Sequence, residues 1–444
     1  MICDTTLERV GVPAVLPHPA APASLEETGL SLDLLVQLTL KQMHFAGELT
    51  GSDLARRLGL RFTAIESAIQ ALKSQHHIEV VGGTMIGPAS YRYRITDAGR
   101  TRVTIFLEHN QYVGVAPVPL ASYVAYLHEW KNSAPRSVTH ARVRGAFQHL
   151  VLGQHVLDQL GPAINAGHSL FVYGPPGNGK SVISQAIRNL LDGDIAIPHA
   201  LEVEGQIVRL FDPVNHDELP LPEADGLTEE AAPDRRWARC RRPLVTVGGE
   251  LTLESLDLSH DAETGFYHAP VQATANGGVL VIDDFGRQQF EPRQFLNRWI
   301  VPLESRVDYL TLKTGQKFQL PFVVLLVFAT NLQPSTLVDE AFLRRIRYKV
   351  FAESPTVEEF VTIFERCCTA RDVAYDPALV FHLFDSFYRP REVPLRGCHP
   401  RDLIDQALSL AEYRGEPRQL TAELLEHACA VYFVDDRPVV QTLV

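Results

Sequence analysis

The stretch GPPGNGKS, residues 174–181, decides the fold of the central part of the chain. It follows the apolar run HSLFVY and precedes SVISQAIRNLL, so the sequence predicts a strand, a glycine-rich loop and a helix. In such a loop, glycines let backbone N–H groups point at phosphate oxygens, a lysine reaches the β- and γ-phosphates, and a serine hydroxyl can hold Mg²⁺. The pattern therefore predicts a nucleoside triphosphate site built from Gly174, Pro175, Pro176, Gly177, Asn178, Gly179, Lys180, Ser181 and Val182.

Polar residues also follow two apolar runs further along the chain. GGVLVIDDFG, residues 277–286, predicts a buried strand that ends at Asp283 and Asp284. FVVLLVFATN, residues 322–331, predicts another strand that ends at Asn331. The carboxyl ends of parallel strands meet at one edge of a sheet, where α/β folds bind ligands. We therefore predict that Asp283 holds Mg²⁺, that Asp284 orients the attacking water, and that Asn331 bridges this water and the γ-phosphate.

Arginines at two further positions complete the predicted site. DEAFLRRIRYKV, residues 339–350, places Arg344 and Arg345 at the end of a short helix. From there either arginine could reach the γ-phosphate of a neighbouring subunit, and an ordinary surface turn is the alternative. Arg401, in GCHPRDLIDQAL, opens a helix of the C-terminal part and could reach back across the nucleotide.

These five segments, in this order, resemble the AAA+ ATPases over residues 140–435. GPPGNGKS corresponds to Walker A, VLVIDD to Walker B, ATN to sensor 1, FLRR to the arginine-finger helix and PRD to sensor 2. The resemblance implies an α/β fold, with a P-loop core of parallel strands and flanking helices followed by a helical lid. It also implies ATP hydrolysis with Mg²⁺ and assembly into rings, usually hexamers, whose sites are completed by Arg344 or Arg345 of the neighbour.

Two predicted hairpins indicate which branch of the AAA+ ATPases the sequence resembles. VDYLTLKTGQKFQLPF, residues 307–322, precedes the sensor 1 strand and resembles the pre-sensor-1 hairpin of one AAA+ superclade. Residues 249–273 predict a second hairpin, which resembles inserts of the enhancer-binding, magnesium-chelatase and MoxR-like branch. Its Phe266 and Tyr267 are predicted as strand or core residues rather than as pore residues that grip a polymer.

One position departs from the family pattern. Asp284 stands where the family usually has glutamate, and its carboxylate lies about 1 Å further back because the side chain is one methylene shorter. Slow turnover, or a site that acts mainly through nucleotide binding, is therefore an alternative to ordinary hydrolysis.

Residues 29–108 predict a winged helix-turn-helix domain. Three helical patterns, the third with Ile65, Ile69 and Leu72 on one face, precede two strand patterns, IEVVGG and YRYRIT, around a glycine-rich turn at residues 82–88. The third helix has few side chains able to read base edges, so we favour docking to protein over binding to DNA. For the DNA alternative, phosphate contacts would come from Arg56, Arg57, Arg61, Arg92 and Arg94.

The 444 residues are long enough for several domains, and the sequence predicts their order. An acidic stretch at 216–234 and the basic RRWARCRR at 235–242 together predict a flexible excursion, with a partner site as the alternative. Ser354 is the predicted cap of the first C-terminal helix. The predicted parts are an extended tail at 1–28, the winged-helix domain at 29–108, a linker at 109–139, the α/β domain at 140–352 with an insertion at about 200–248, and the helical lid at 353–444.

The composition of the chain argues against some classes of function. The net charge of −12 makes the chain as a whole a poor partner for DNA, and no apolar run approaches the length of a membrane span. Six scattered cysteines predict reduced thiols, without a zinc or disulfide framework, in the cytoplasm. The combined prediction is a cytoplasmic, ring-forming ATPase that remodels or regulates a protein partner. A DNA-associated ATPase and a nucleotide-gated scaffold with little turnover are the alternatives.

Overall fold

The protein is represented by a computed structural model, which describes residues 18–83, 87–133, 138–221 and 232–433. Internal packing divides the chain into two compact units. The first unit lies within the bounds Met1–Ser137, Leu191–Ile282 and Arg287–Leu326. The second lies within Val138–Leu190, Asp283–Gly286 and Val327–Val444. Each unit is therefore assembled from segments that are distant in sequence.

The first unit begins with helices packed around a three-stranded antiparallel sheet. The strand order is β1-β3-β2, with Leu49 opposite Tyr93 and Ile78 opposite Ile95. The predicted apolar face of the third helix is buried, as expected from its spacing. The elements are α1 (Leu25–Thr28), α2 (Leu32–Ala46), β1 (Leu49–Thr50), α3 (Gly51–Leu58), α4 (Phe62–Ser74), β2 (Ile78–Gly83), β3 (Tyr91–Ile95), α5 (Asp97–His109), β4 (Val118–Pro119) and α6 (Leu120–Ser133).

Parts of two segments predicted as irregular are packed instead. In the predicted tail, Thr28 of α1 is buried and the N–H of Ala21 donates to the carbonyl of Ala232 at 2.8 Å. In the predicted linker, α6 buries Tyr123 and Trp130 on one face. The prolines that suggested a linker lie before this helix, where they do not interrupt its hydrogen bonds.

The rest of the first unit is mainly β-structure. The hairpin predicted at residues 307–322 is confirmed as the antiparallel pair β14 and β15, whereas the hairpin predicted at 249–273 is reduced to the two-residue strands β11 and β12. The elements are β6 (Asp194–Pro198), β7 (Ala200–Val203), β8 (Gln206–Arg209), β9 (Trp237–Arg241), β10 (Leu244–Val247), β11 (Ser259–His260), β12 (Tyr267–His268), α10 (Val271–Thr274), β13 (Val279–Ile282), α11 (Pro292–Ser305), β14 (Val307–Thr311) and β15 (Lys317–Pro321).

The basic segment RRWARCRR is ordered structure, so the prediction of a flexible excursion was wrong for this part. It forms β9, which pairs with β6 and buries Trp237 and Cys240. Arg236 is only 5% exposed, and its guanidinium donates to both carboxylate oxygens of Asp234. Alternating apolar side chains among the arginines make this segment a half-buried strand. Residues 222–231 of the predicted acidic stretch lie outside the described residues.

The second unit contains three parallel strands and a C-terminal group of helices. β5 lies between β16 and β17, and its Leu170 is opposite Val327 on one side and Tyr348 on the other. The elements are α7 (His140–Phe147), α8 (Gln154–Ala166), β5 (Leu170–Tyr173), α9 (Lys180–Ala186), β16 (Leu325–Thr330), of which the part from Val327 belongs to this unit, α12 (Pro334–Leu337), α13 (Glu340–Leu343) and β17 (Tyr348–Phe351).

The C-terminal helices pack around their own apolar core, which includes Phe360, Phe364 and Leu403. The cap of the first helix is Thr356, not the predicted Ser354. Thr356 and Glu359 form a reciprocal capping box, which satisfies two backbone N–H groups at once. These helices are α14 (Val357–Ala370), α15 (Pro377–Leu383), α16 (Arg389–Arg391), which follows one turn of π-helix at Phe384–Tyr388, α17 (His399–Arg414) and α18 (Ala422–Tyr432).

Candidate functional site

The loop between β5 and α9, which we call the glycine loop (Gly174–Gly179), has the backbone shape that its sequence predicts. Gly174, Gly177 and Gly179 have φ angles of +144°, +79° and +73°, a region that side chains with a Cβ rarely adopt. A Cβ on Gly174 would lie 2.5 Å from the carbonyl oxygen of Ala352, so this position also lacks space. Three closely spaced glycines with positive φ curl the chain, as a phosphate-binding loop requires.

Lys180 is the first residue of α9 and lies at the base of the glycine loop. It is 7% exposed, and its Nζ donates to the carbonyl of Pro175 at 2.8 Å. Burial lowers the pKa of Lys180, while the nearby carboxylates of Asp284 and Asp283 act in the opposite direction. A cation with few protein ligands, close to two carboxylates, is suited to bind an anion that brings further charge.

Asp283 and Asp284 directly follow β13, and aromatic packing holds their turn in place. The ring of Phe285 lies 4.9 Å from that of Phe328, and the backbone N–H of Phe285 donates to the carbonyl of Ala329 at 2.8 Å. Asp284 has φ +48°, a left-handed conformation that aspartate tolerates better than most residues do. Its N–H donates to Oδ1 of Asp283 at 3.0 Å.

Asn331 follows β16 and reaches the same carboxylates. Its Nδ2 donates to Oδ1 of Asp284 at 3.0 Å. The residues predicted at two strand ends are therefore hydrogen-bonded to each other, although 47 positions separate them in sequence. The amide contact restricts the direction in which the Asp284 carboxylate points.

These groups line a cleft of about 640 Å³, which lies within the second unit. Its volume is in the range of pockets that bind small molecules. Among the predicted site residues, Gly174, Pro175, Arg344 and Arg345 are not part of the described lining. The predicted residues that do line it are Pro176, Gly177, Asn178, Gly179, Lys180, Ser181, Val182, Asp283, Asp284, Asn331 and Arg401.

One wall of the cleft was not predicted from the sequence. It consists of the segment between α7 and α8 and one side of α14. Arg366 connects the two, because its Nη1 donates to the carbonyls of Gln148 at 2.9 Å and Leu150 at 3.3 Å. The apolar run LVL at residues 150–152, in a connection between two helices, was the available signal. The lining residues missed are His149, Leu150, Val151, Leu152, Ile183, Ile363, Arg366, Cys367, Ala370, Arg371, Gly397 and Cys398.

Arg401 lines the cleft from the first turn of α17. Its Nε donates to Oδ1 of Asp402 at 2.8 Å, and this hydrogen bond raises the pKa of the guanidinium. The hydroxyl of Tyr432, on α18, donates to Oδ2 of the same carboxylate at 3.0 Å. Asp402 therefore joins the arginine to the neighbouring helix.

Arg344 and Arg345 lie just after α13, a helix of four residues. The Arg344 side chain is 76% exposed and pairs with Glu340, one helical turn earlier, at 2.9 Å. Arg345 is partly buried. Neither arginine belongs to the described lining of the cleft.

Three of the five arginines considered for DNA contact, Arg56, Arg92 and Arg94, have acidic partners. Arg56 lies 3.0 Å from Asp53, and Arg94 lies 2.7 Å from Glu79. The start of α4 also contacts the N-terminal segment, since the hydroxyl of Thr63 donates to the carbonyl of Ala23. Part of the positive charge on this surface is therefore balanced by neighbouring carboxylates.

The described residues hold no cluster of three or more His, Cys, Asp or Glu side chains suited to a metal ion. Magnesium at a nucleotide site needs no such cluster, because phosphates and water supply most of its ligands. No helix in the described part of the chain has both the length and the apolar character to cross a membrane.

Comparison with known proteins gives limited matches. A family model described as a domain of unknown function, DUF8689, matches residues 356–431, the region of the C-terminal helices. No curated protein matches the chain. Among solved structures, NtrX from Brucella abortus in complex with ADP is 15% identical with a TM-score of 0.38, over 61% of this chain and 53% of that one. This chain thus spans about half of the NtrX chain.

A second solved structure is the Holliday junction branch migration motor RuvB from Thermotoga maritima. It is 16% identical with a TM-score of 0.37, over 68% of this chain and 74% of that one. Both structural similarities are weak, and the proposed function rests on the geometry of the site.

Proposed function

We propose that this protein binds ATP with Mg²⁺ in the cleft of its second unit and hydrolyses it, as an AAA+ ATPase. The observation that carries the proposal is the convergence of Lys180, Asp283, Asp284 and Asn331 on one cleft beneath a left-handed glycine loop. A glycine loop of this backbone shape and a lysine suit phosphates, while the apolar wall at residues 150–152 suits a base. The cleft therefore offers a surface for the phosphates and a surface for the base.

Each polar group has a role that follows from its chemistry. Lys180 would leave the Pro175 carbonyl and bind the β- and γ-phosphates. The hydroxyl of Ser181 and the carboxylate of Asp283 are oxygen ligands of the kind Mg²⁺ prefers, and the bound ion would neutralise phosphate charge. Asp284, held by Asn331, would orient the attacking water. Arg401 would contact the phosphates from α17.

The geometry of Asp284 favours slow turnover. Its carboxylate is short, is already bonded to Asn331, and belongs to a residue in the left-handed region. A misplacement of about 1 Å can cost about 10²-fold in rate. The nucleotide-gated scaffold is therefore the second candidate function, and the rate of turnover decides between them.

Assembly into a ring, with hexamers as the expected form, would complete each site. Arg344 and Arg345 are outside the described lining of their own cleft, so we propose that one of them serves the neighbouring subunit. The winged-helix prediction for residues 29–108 would make that region an adaptor for a protein partner. The paired arginines of the first unit favour this role over DNA binding.

Nucleotide binding and turnover of the wild type against Lys180→Ala test the proposal. Calorimetry with ATP and Mg²⁺ should show at least a tenfold loss of affinity in Lys180→Ala, since the only lysine in the described lining is removed. Lys317→Ala, which removes an exposed lysine from β15, is the matched control and should bind as the wild type does. Equal affinity in all three proteins would contradict the proposed site.

Mixing two inactive variants tests the shared site. Lys180→Ala subunits would lack a working cleft but keep their arginines, whereas Arg344→Ala/Arg345→Ala subunits would keep the cleft but lack the finger. If the finger acts between subunits, the mixture should recover phosphate release that neither variant shows alone. A mixture as inactive as its components, in oligomers shown to exchange subunits, would refute the trans arrangement.

A further inference from the structure

The side chain of Asn178, in the glycine loop, is bonded away from its own loop. It is 8% exposed, and its Nδ2 donates to the carbonyl of Ala352 at 3.3 Å, with Ser354 Oγ at 3.5 Å. Its Oδ1 accepts from the N–H of Gly397 at 3.2 Å. Ala352 and Ser354 lie in the connection from β17 to α14, and Gly397 lies just before α17.

The neighbouring segment Arg396–Cys398, which we call the clip, makes two further contacts of the same kind. The N–H of Cys398 donates to the carbonyl of Gly177 at 2.8 Å. The guanidinium of Arg396 donates to Ser354 Oγ at 2.7 Å. The approach is close, because a Cβ on Gly177 would lie 2.5 Å from the Cys398 sulfur. The clip is therefore bonded both to the glycine loop and to the start of the C-terminal helices.

The partners of Asn178 distinguish this arrangement from simple stiffening of the loop. A residue that only stiffened the glycine loop would bond within it, whereas Ala352 and Gly397 are 174 and 219 positions away. Buried amide groups with several partners define one arrangement of the segments they join. The clip also leads directly into the first turn of α17, which carries Arg401 three residues after Cys398.

We propose that Asn178 is a positioning residue that couples the glycine loop to the clip, and through the clip to Arg401. The coupling rests on the proposed function, in which phosphates bind the glycine loop and Arg401 contacts them. A change in the loop at residues 177–178 would move the start of α17, because a helix transmits displacement of its first turn. The bond from Tyr432 to Asp402 then passes that movement to α18.

Hydrogen exchange in the nucleotide-free protein tests the contact itself. In Asn178→Ala, the amide of Gly397 should exchange about tenfold faster than in the wild type, since its acceptor is lost. Asn165→Ala is the matched control: Asn165 bonds to the backbone of Val138 in the same unit and does not touch the clip. Unchanged exchange at Gly397 in Asn178→Ala would overturn the proposal.

Ser354→Ala provides a second variant, which keeps the sequence of the glycine loop, removes the acceptor of Arg396 and removes the longer of the two Asn178 Nδ2 contacts. It should bind ADP within about threefold of the wild-type affinity, as expected for a residue outside the described lining of the cleft. At saturating ADP, exchange in α17 should slow in the wild type and in Asn165→Ala. The slowing should be lost in Asn178→Ala and reduced in Ser354→Ala. Equal slowing in all four proteins would overturn the coupling.

Failure of the proposed function and failure of the coupling give different experimental results. A wild type that does not bind ADP would contradict the proposed function. Exchange at Gly397 in the nucleotide-free variants would then still support or overturn the role of Asn178 in holding the clip.

Discussion

Lowering the pH should destabilise the C-terminal helices, because one buried histidine resists protonation in the folded state. His399, the first residue of α17, is 5% exposed, and burial lowers its pKa from 6.5 to about 4, with the nearby Arg396 cation acting in the same direction and Asp402 opposing it. Its Nδ1 lies 3.1 Å from the hydroxyl of Tyr388. Because the folded state resists protonation of this ring, stability is complete above pH 6.5 and is lost as the pH falls toward 4.

The magnitude follows from the two pKa values. Each pKa unit corresponds to about 1.4 kcal/mol, so the full effect is about 3 kcal/mol and the loss at pH 5 is about 2 kcal/mol. All three tryptophans lie outside the second unit, at residues 130, 237 and 299, so their fluorescence does not report on these helices. Hydrogen exchange of the α17 amides gives the free energy of opening directly.

The comparison needs a variant without the titrating ring. His399→Phe keeps an aromatic side chain among Tyr388, Tyr432 and Phe433, and should show no loss from this group between pH 6.5 and pH 5. His382→Gln removes a partly exposed histidine of α15 and should behave as the wild type does. If opening free energies of wild type and His399→Phe changed in parallel with pH, the reasoning would be refuted.

Three further predictions concern other positions. Asp284→Glu should raise the phosphate-release rate severalfold or more by bringing the carboxylate about 1 Å nearer the water, and a lower rate would contradict this explanation. Gly174→Ala should lower the free energy of unfolding by several kcal/mol. Gly415→Ala, where φ is also positive but no atom lies within 4 Å, should lower it by about 1 kcal/mol. Equal losses in urea titrations would contradict this prediction. Burial lowers the pKa of Lys41 to about 8. Between pH 8 and 10.5 the free energy of unfolding of the wild type should therefore rise by up to about 3 kcal/mol relative to that of Lys41→Met. A difference between the two proteins that does not change with pH would refute this prediction.

The glycine loop and the polar residues at the strand ends could be predicted because each depends on a short stretch of sequence. A glycine loop needs its glycines in a fixed order, and carboxylates at strand ends follow short apolar runs, so both leave patterns in the sequence. Asn331 was placed by the same reasoning and is bonded to Asp284. The roles of these residues stay predictions until nucleotide binding is measured.

The wall of the cleft could not be predicted in this way. Leu150 and Cys367 are ordinary core-type residues, and about 200 positions of sequence separate the segments that bring them together. Nothing in either segment alone indicates a ligand. The bonds of Arg366 to backbone carbonyls are also invisible to a pattern, since carbonyls carry no sequence information.

Errors in the fold prediction have similar causes. Pro355 suggested that Ser354 caps α14, but the combination of Thr356 and Glu359 forms the stronger reciprocal cap. The N-terminal segment has a tail-like composition, yet Ala20 forms a bridge with Pro233. Whether a short extended segment is packed depends on a remote partner, which composition does not reveal.

The pairing between the N-terminal segment and residues 232–236 has a consequence for biosynthesis. His18 contacts the carbonyl of Asp234 across 216 positions, and Asp234 in turn holds the buried Arg236, whose guanidinium donates to Thr28. At translation speeds of about 5–20 residues per second, the ribosome needs roughly 10–40 s to make the second partner after the first. During that interval residues 18–28 of the nascent chain lack the partners that residues 232–236 supply, and a chaperone or partner protein that binds residues 18–28 competes with the chain's own later segment.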